Sequence, residues 1–154
     1  MKRRFISWLP MILVMILIFV YSSKTATESE QSSNQVSHIV ISIAEFFQPN
    51  MIENQEYIEV LEKVDKVIRK VAHGTEYFIL ALCCCYPLLK QGVERKKAAL
   101  YGFLICLCYA TSDEFHQLFV PGRSGQIKDI LIDGLGAALG CTLVRCKVKN
   151  IHYR

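Results

Sequence analysis

Three short stretches hold side chains able to grip an anion, move a proton or ligate a metal. They are Arg69, Lys70, His73, Glu76 and Tyr77; then Asp113, Glu114, His116, Gln117 and Arg123; then Asp129 and Asp133. Guanidinium groups fit phosphate or carboxylate with two parallel hydrogen bonds, and an imidazole beside a carboxylate serves as general acid or base near neutral pH. Arg69, Lys70, Gln117, Arg123, Asp129 and Asp133 are therefore expected to bind an anion or substrate, and His73, Glu76, Asp113, Glu114 and His116 to carry proton chemistry. A metal variant stays open, because His73-x-x-Glu76 and Glu114-x-His116 could converge as two pairs of nitrogen and oxygen ligands for zinc or another divalent ion. Neither pair is an HExxH, and both histidines have acidic partners at hand, so the expectation is a site without a resident cofactor.

Each polar set lies at the edge of an apolar block, where charged groups are costly and function is the default reading. Just over half of the 154 residues are hydrophobic. They are bunched: residues 5–21 and 98–112 hold no charge, and residues 71–89 and 130–144 hold one each. About 17 to 20 apolar residues cross a bilayer, so the first and second blocks qualify alone and the last two with a turn of polar flank. The expected fold is an all-α integral membrane protein, a bundle of four transmembrane helices over about 5–21, 71–89, 98–115 and 129–146 within a domain spanning 5–145.

Charge gives an independent test. With the N-terminus inside, residues 1–4, 90–97 and 145–154 hold eleven of the 18 basic residues and one of the 14 acids. Such an excess of lysine and arginine marks cytoplasmic segments, so both termini are expected in the cytoplasm, with 147–154 a basic tail. The net charge of +4 then sums over two faces and implies no nucleic acid; the basic clusters suit anionic lipid head groups. Cys83, Cys84, Cys85, Cys106, Cys108, Cys141 and Cys146 lie within the apolar blocks or at their inner end, without a CxxC, and are read as packing residues.

Along the chain, residues 1–21 resemble a signal peptide, but the small-residue pattern after Tyr21 makes a poor cleavage site, and a retained anchor with Trp8 and Tyr21 at its interfaces is expected. Residues 22–66 form an extracytoplasmic loop. Thr25 to Gln35 reads as mobile, and Val36, Ile39, Val40, Ile43 and Phe47 as a short amphipathic helix on the outer leaflet or a lid, broken at Pro49-Asn50. The pattern Ile58, Leu61, Val64, Ile68 and Val71 then continues into the second span, with Arg69, His73 and Glu76 on one face. Helix continuation past Ser112 would set Asp113, His116, Gln117 and Val120 on a shared face, and Pro121-Gly122 signals a turn that brings Arg123 back over the helix ends. Asp129, Asp133, Gly136 and Gly140 form one stripe, whose GxxxG spacing favours close helix contact and turns the two acids inward.

Taken together, Ser22-Ser23, Arg69-Lys70-x-x-His73-x-x-Glu76-Tyr77, Asp113-Glu114-x-His116-Gln117-x-Phe119-x-x-Gly122-Arg123 and Asp129 with the 133–140 run resemble the VanZ-like family of bacterial membrane proteins. Gly74 departs from the bulkier residue usual there. The resemblance implies a multi-pass protein of the bacterial plasma membrane linked to resistance to the glycopeptide teicoplanin, and implies no reaction. Three functional readings follow: a site at the extracytoplasmic face for an envelope lipid or lipid-linked envelope intermediate; a scaffold or partner-binding protein whose charges are interhelical pairs; and a transporter, which would need polar residues deeper in the spans. A homo-oligomer is compatible with each. His38 and His152 read as exposed side chains.

Overall fold

The computed structural model describes residues 2–47 and 57–147, and within them the chain is helical throughout, with no strand. The helices are α1 (Lys2–Ile6), α2 (Leu9–Ser22), α3 (Ala26–Phe47), α4 (Tyr57–Lys90), α5 (Arg95–Gln117) and α6 (Ile127–Lys147). The expected break at Pro49-Asn50 and most of the basic tail lie outside the described residues.

The first apolar block is not one uninterrupted helix. A turn at Ser7-Trp8 separates α1 from α2, and Pro10 sits in the first turn of α2, where its missing N–H costs nothing. The stretch from Thr25 to Gln35, expected to be mobile, is the first half of α3. Thr25 and Glu28 form a capping box: the Glu28 carboxylate accepts from the Thr25 backbone N–H at 2.9 Å, and Thr25 Oγ1 accepts from the Glu28 N–H at 3.4 Å. The Thr25 backbone N–H and hydroxyl, both donating to the Glu28 carboxylate, hold it below its ordinary pKa. A Ser/Thr/Glu-rich segment thus gains its start signal from two residues three apart, which outweighs its poor helix composition.

At the centre is α4, 34 residues long, packed against α2, α3 and α5 and most extensively against α6. At about 1.5 Å per residue it reaches about 51 Å, well beyond a hydrocarbon core of about 30 Å. It ends in a Schellman motif, with Gly92 at φ +84° and bonds from Val93 N to Leu88 O and from Gly92 N to Leu89 O. Against it, α6 approaches backbone to backbone. A Cβ on Gly136 would lie 2.0 Å from the Gly74 carbonyl oxygen, and one on Gly140 would lie 2.7 Å from that of Phe78. Gly74 itself has room, its nearest neighbour being Ile132 at 3.7 Å.

Polarity is distributed inside out. Ser22, Ser37, Asp65, Asp113, Glu114, Gln117 and Asp133 are buried, while Leu131, Leu135 and Leu139 on α6 and most of the α2 side chains face outward. A water-soluble protein of this size exposes apolar side chains singly, not as continuous helix faces. Two helical stretches, Arg4–Ser22 and Glu59–Lys90, are long and apolar enough to cross a membrane. The other two expected spans fall short of that measure because α5 opens on Arg95-Lys96-Lys97 and closes on Asp113-Glu114, and α6 carries Lys128, Asp129, Asp133 and Arg145.

Tyr77, Leu80, Cys84, Cys85, Cys106, Ala110, Ala137 and Cys141 form the core. All seven cysteines are free. The closest thiol pairs, Cys85 with Cys141 at 3.9 Å and Cys84 with Cys106 at 4.0 Å, are packing contacts, and Gly102 makes room for the Cys85 sulfur.

Candidate functional site

The site is built where the last turn of α5, the turn after it and the first turns of α3 and α6 meet the middle of α4. Helix α5 stops at Gln117, so the expected run through Val120 on one face does not form. Instead Val120, Pro121, Gly122 and Arg123 make a β-turn closed by Arg123 N to Val120 O at 3.1 Å, with Gly122 at φ +77°. Arg123 is carried back as expected, and its Nε donates to the Lys24 carbonyl at 3.0 Å.

Two adjoining cavities open there. One, of about 400 Å³, is lined by Lys66, Arg69, Lys70, His73, Gln117, Arg123 and Asp129 together with Ala26, Gly122, Ser124 and Gln126. The other, of about 140 Å³, has Ser22, Lys24, Ser29, Ser33 and Glu76 on its wall and shares Arg69, His73 and Arg123 with the first. Four permanent cations and one acid line the larger cavity. Arg123 is half-buried, and burial, with Arg69 nearby, lowers its pKa from the ordinary guanidinium value. The N-termini of α3 and α6, at Ala26 and Gln126, add the positive ends of two helix dipoles.

Beneath the cavities lies a layer of buried polar side chains. Gln117 Nε2 donates to Ser22 Oγ at 3.0 Å and lies 3.4 Å from Asp113 Oδ2, tying α5 to the end of α2. Glu114 accepts the Gln126 backbone N–H at 2.8 Å and so fixes the loop ahead of α6, where a Cβ on Gly125 would collide with the Glu114 carbonyl. Asp133 is wholly buried, and its Oδ1 lies 3.6 Å from His73 Nδ1. Asp133 is thus an acidic partner that the structure brings to His73 from another helix.

The chain thus gathers Arg69, Lys70, His73, Gln117, Arg123 and Asp129 around the larger cavity and Glu76 around the smaller one. His116 lines neither: its ring packs on Phe19 at 4.8 Å between centroids. Glu114 and Asp113 sit below the lining. Among the described residues no three His, Cys, Asp or Glu side chains are grouped so as to hold a metal ion, and the two pairs His73/Glu76 and Glu114/His116 are not drawn together.

A model of the VanZ/LLP1 family matches residues 7–148, nearly the whole chain and all of the site. The chain belongs to the VanZ/LLP1 family. No curated protein and no solved structure matches it. In this VanZ/LLP1 chain the spacing of Lys66, Arg69, Lys70 and His73, at i, i+3, i+4 and i+7, was itself a sign that Lys66 joins the cationic face, though sequence reasoning placed it in the loop. Asp65 was missed too. It is buried, accepts from Ser37 Oγ at 3.3 Å, pairs with Arg69 at 2.9 Å, and so fastens α3 to α4 beside the cavity.

Proposed function

We propose that this VanZ/LLP1-family chain is a multi-pass protein of the bacterial plasma membrane whose cationic cavity binds the phosphate-bearing head group of an envelope lipid at the extracytoplasmic face. The observation that carries the reading is the lining of one cavity by Lys66, Arg69, Lys70 and Arg123 against Asp129 alone. Its volume of about 400 Å³ suits a head group, and paired guanidiniums suit phosphate.

Membrane placement with α1–α2, α4, α5 and α6 as spans is supported by charge spacing. At about 1.5 Å per residue, Arg69 and Lys90 on α4 stand about 31 Å apart, Arg95 and Asp113 on α5 about 27 Å, and Asp129 and Arg145 on α6 about 24 Å, all near the hydrocarbon thickness. The positive-inside pattern then sets the cavity outside and both termini in the cytoplasm. The apolar stripe of α3, with Val36, Ile39, Val40 and Ile43 all exposed, lies free to rest on the outer leaflet. His73, held near Asp133, is a group on the wall suited to proton transfer to a bound head group. The link to teicoplanin resistance would follow from holding a lipid-linked envelope intermediate there. Interhelical pairing is the better account of Asp113, Glu114 and Gln117, whose bonds to Ser22 and Gln126 join separate elements.

The test is equilibrium binding of short-chain phosphatidic acid to the purified protein in nanodiscs. Charge-assisted hydrogen bonds are worth about 1.5–3 kcal/mol, so Arg69→Ala and Arg123→Ala are expected to weaken binding about ten- to a hundredfold. Lys128→Ala, exposed and off the wall, should change nothing. Equal affinity of the unaltered protein for a zwitterionic analogue would overturn the reading.

A further inference from the structure

A further cavity, of about 750 Å³, lies at the opposite end of the bundle, between the end of α4, the start of α5 and the end of α6. Its walls are apolar, with Leu82, Leu89 and Val144 among them, and its mouth carries Arg95, Lys96 and Arg145 against Glu94 alone. We propose that this cavity is a binding site for an anionic phospholipid of the inner leaflet, one acyl chain lying along the apolar wall and the phosphate among the three cations.

Two independent features argue for that occupant. The first is charge complementarity: a site with an apolar slot and a cationic rim at the helix ends, where head groups lie, matches an anionic amphiphile and leaves a zwitterionic one with surplus positive charge. The second is the local cost. The first turn of α5 holds Arg95, Lys96 and Lys97 with no acid, and the N-cap Glu94 makes no side-chain capping bond. Arg95 and Lys96, the two of these on the cavity wall, repel the positive end of the helix dipole and each other, and a phosphate seated between them relieves both. Residues 148–154 do not supply that charge, since they contain Lys149 and Arg154 and no acidic side chain.

The experiment is native mass spectrometry of the full-length protein, delipidated in detergent and titrated with phosphatidylglycerol or phosphatidylcholine. In an Arg123→Ala background, which weakens the cationic cavity near His73, the expected result is retention of one phosphatidylglycerol at activation energies that strip phosphatidylcholine. Retention should fall at least fivefold in Arg95→Gln/Arg145→Gln, and in Leu89→Trp, which fills the slot and leaves every charge in place. Lys97→Gln, off the wall, should retain lipid as the Arg123→Ala background does. Equal retention of both lipids, or equal loss in Lys97→Gln, overturns the proposal. So does retention that appears only after residues 148–154 are removed, which would make the tail the occupant. The thermal midpoint of each variant in detergent serves as a separate readout of folding.

Discussion

Gln117 and Asp133 show how differently two buried polar side chains can be used. Gln117 is satisfied: it joins Ser22 to Asp113, and its replacement removes both bonds. Gln117→Leu is expected to cost about 1–3 kcal/mol, the penalty of leaving a buried polar group unpaired, and to lower the thermal midpoint in detergent without altering which lipid binds. Neither carboxylate oxygen of Asp133 has a hydrogen-bond partner among the described residues, and Oδ1 lies 3.6 Å from His73 Nδ1. If its work is to hold the imidazole at the cavity wall, Asp133→Asn should leave the thermal midpoint unchanged or raised while weakening phosphatidic acid binding. The same change made in a His73→Ala background should have no further effect. An equal loss in both backgrounds would assign Asp133 another task.

The pairing of α4 with α6 rests on backbone contact. Gly136 has no space for a methyl group, because the Gly74 carbonyl occupies it, and Gly140 has little against Phe78. Gly74, the residue that departs from the bulkier type expected by resemblance, is the partner that presents its carbonyl to α6. Gly136→Ala should push the helices apart and reduce accumulation in the membrane severalfold, whereas Gly74→Ala, with 3.7 Å of clearance, should accumulate normally. Accumulation measured by quantitative blotting of membrane fractions distinguishes them. Register in this pair also decides chemistry: with α6 one residue out, Asp133 would leave His73 and Asp129 would leave the cavity.

For the whole molecule the consequence is two sites at opposite ends, a cationic cavity served by α3, α4, α5 and α6 and a lipid slot at the α4–α5 turn. The reading demands that they face opposite sides of the membrane. Ser124→Cys should react with a membrane-impermeant maleimide on intact cells, and Gln91→Cys only after permeabilisation. The reverse pattern would invert the topology and place the cationic cavity in the cytoplasm. Labelling of both on intact cells would remove the bundle from the bilayer.

Much of the design was legible along the chain. Bunched apolar blocks, lopsided lysine and arginine, the Pro121-Gly122 turn and the GxxxG stripe are local signals. Each depends on the polarity or backbone sterics of neighbouring residues. They suffice for an all-helical chain with Arg69, His73, Asp129 and Arg123 at one level. Which carboxylate meets which histidine was not legible, because Asp133 and His73 are sixty residues apart and their contact depends on the α4–α6 register. Nor could spacing reveal that His116 turns to Phe19 or that Asp65 fastens α3, since a helix face becomes a cavity wall or a seam only when a second helix covers it. Periodicity tells which residues share a side; packing alone determines what that side touches.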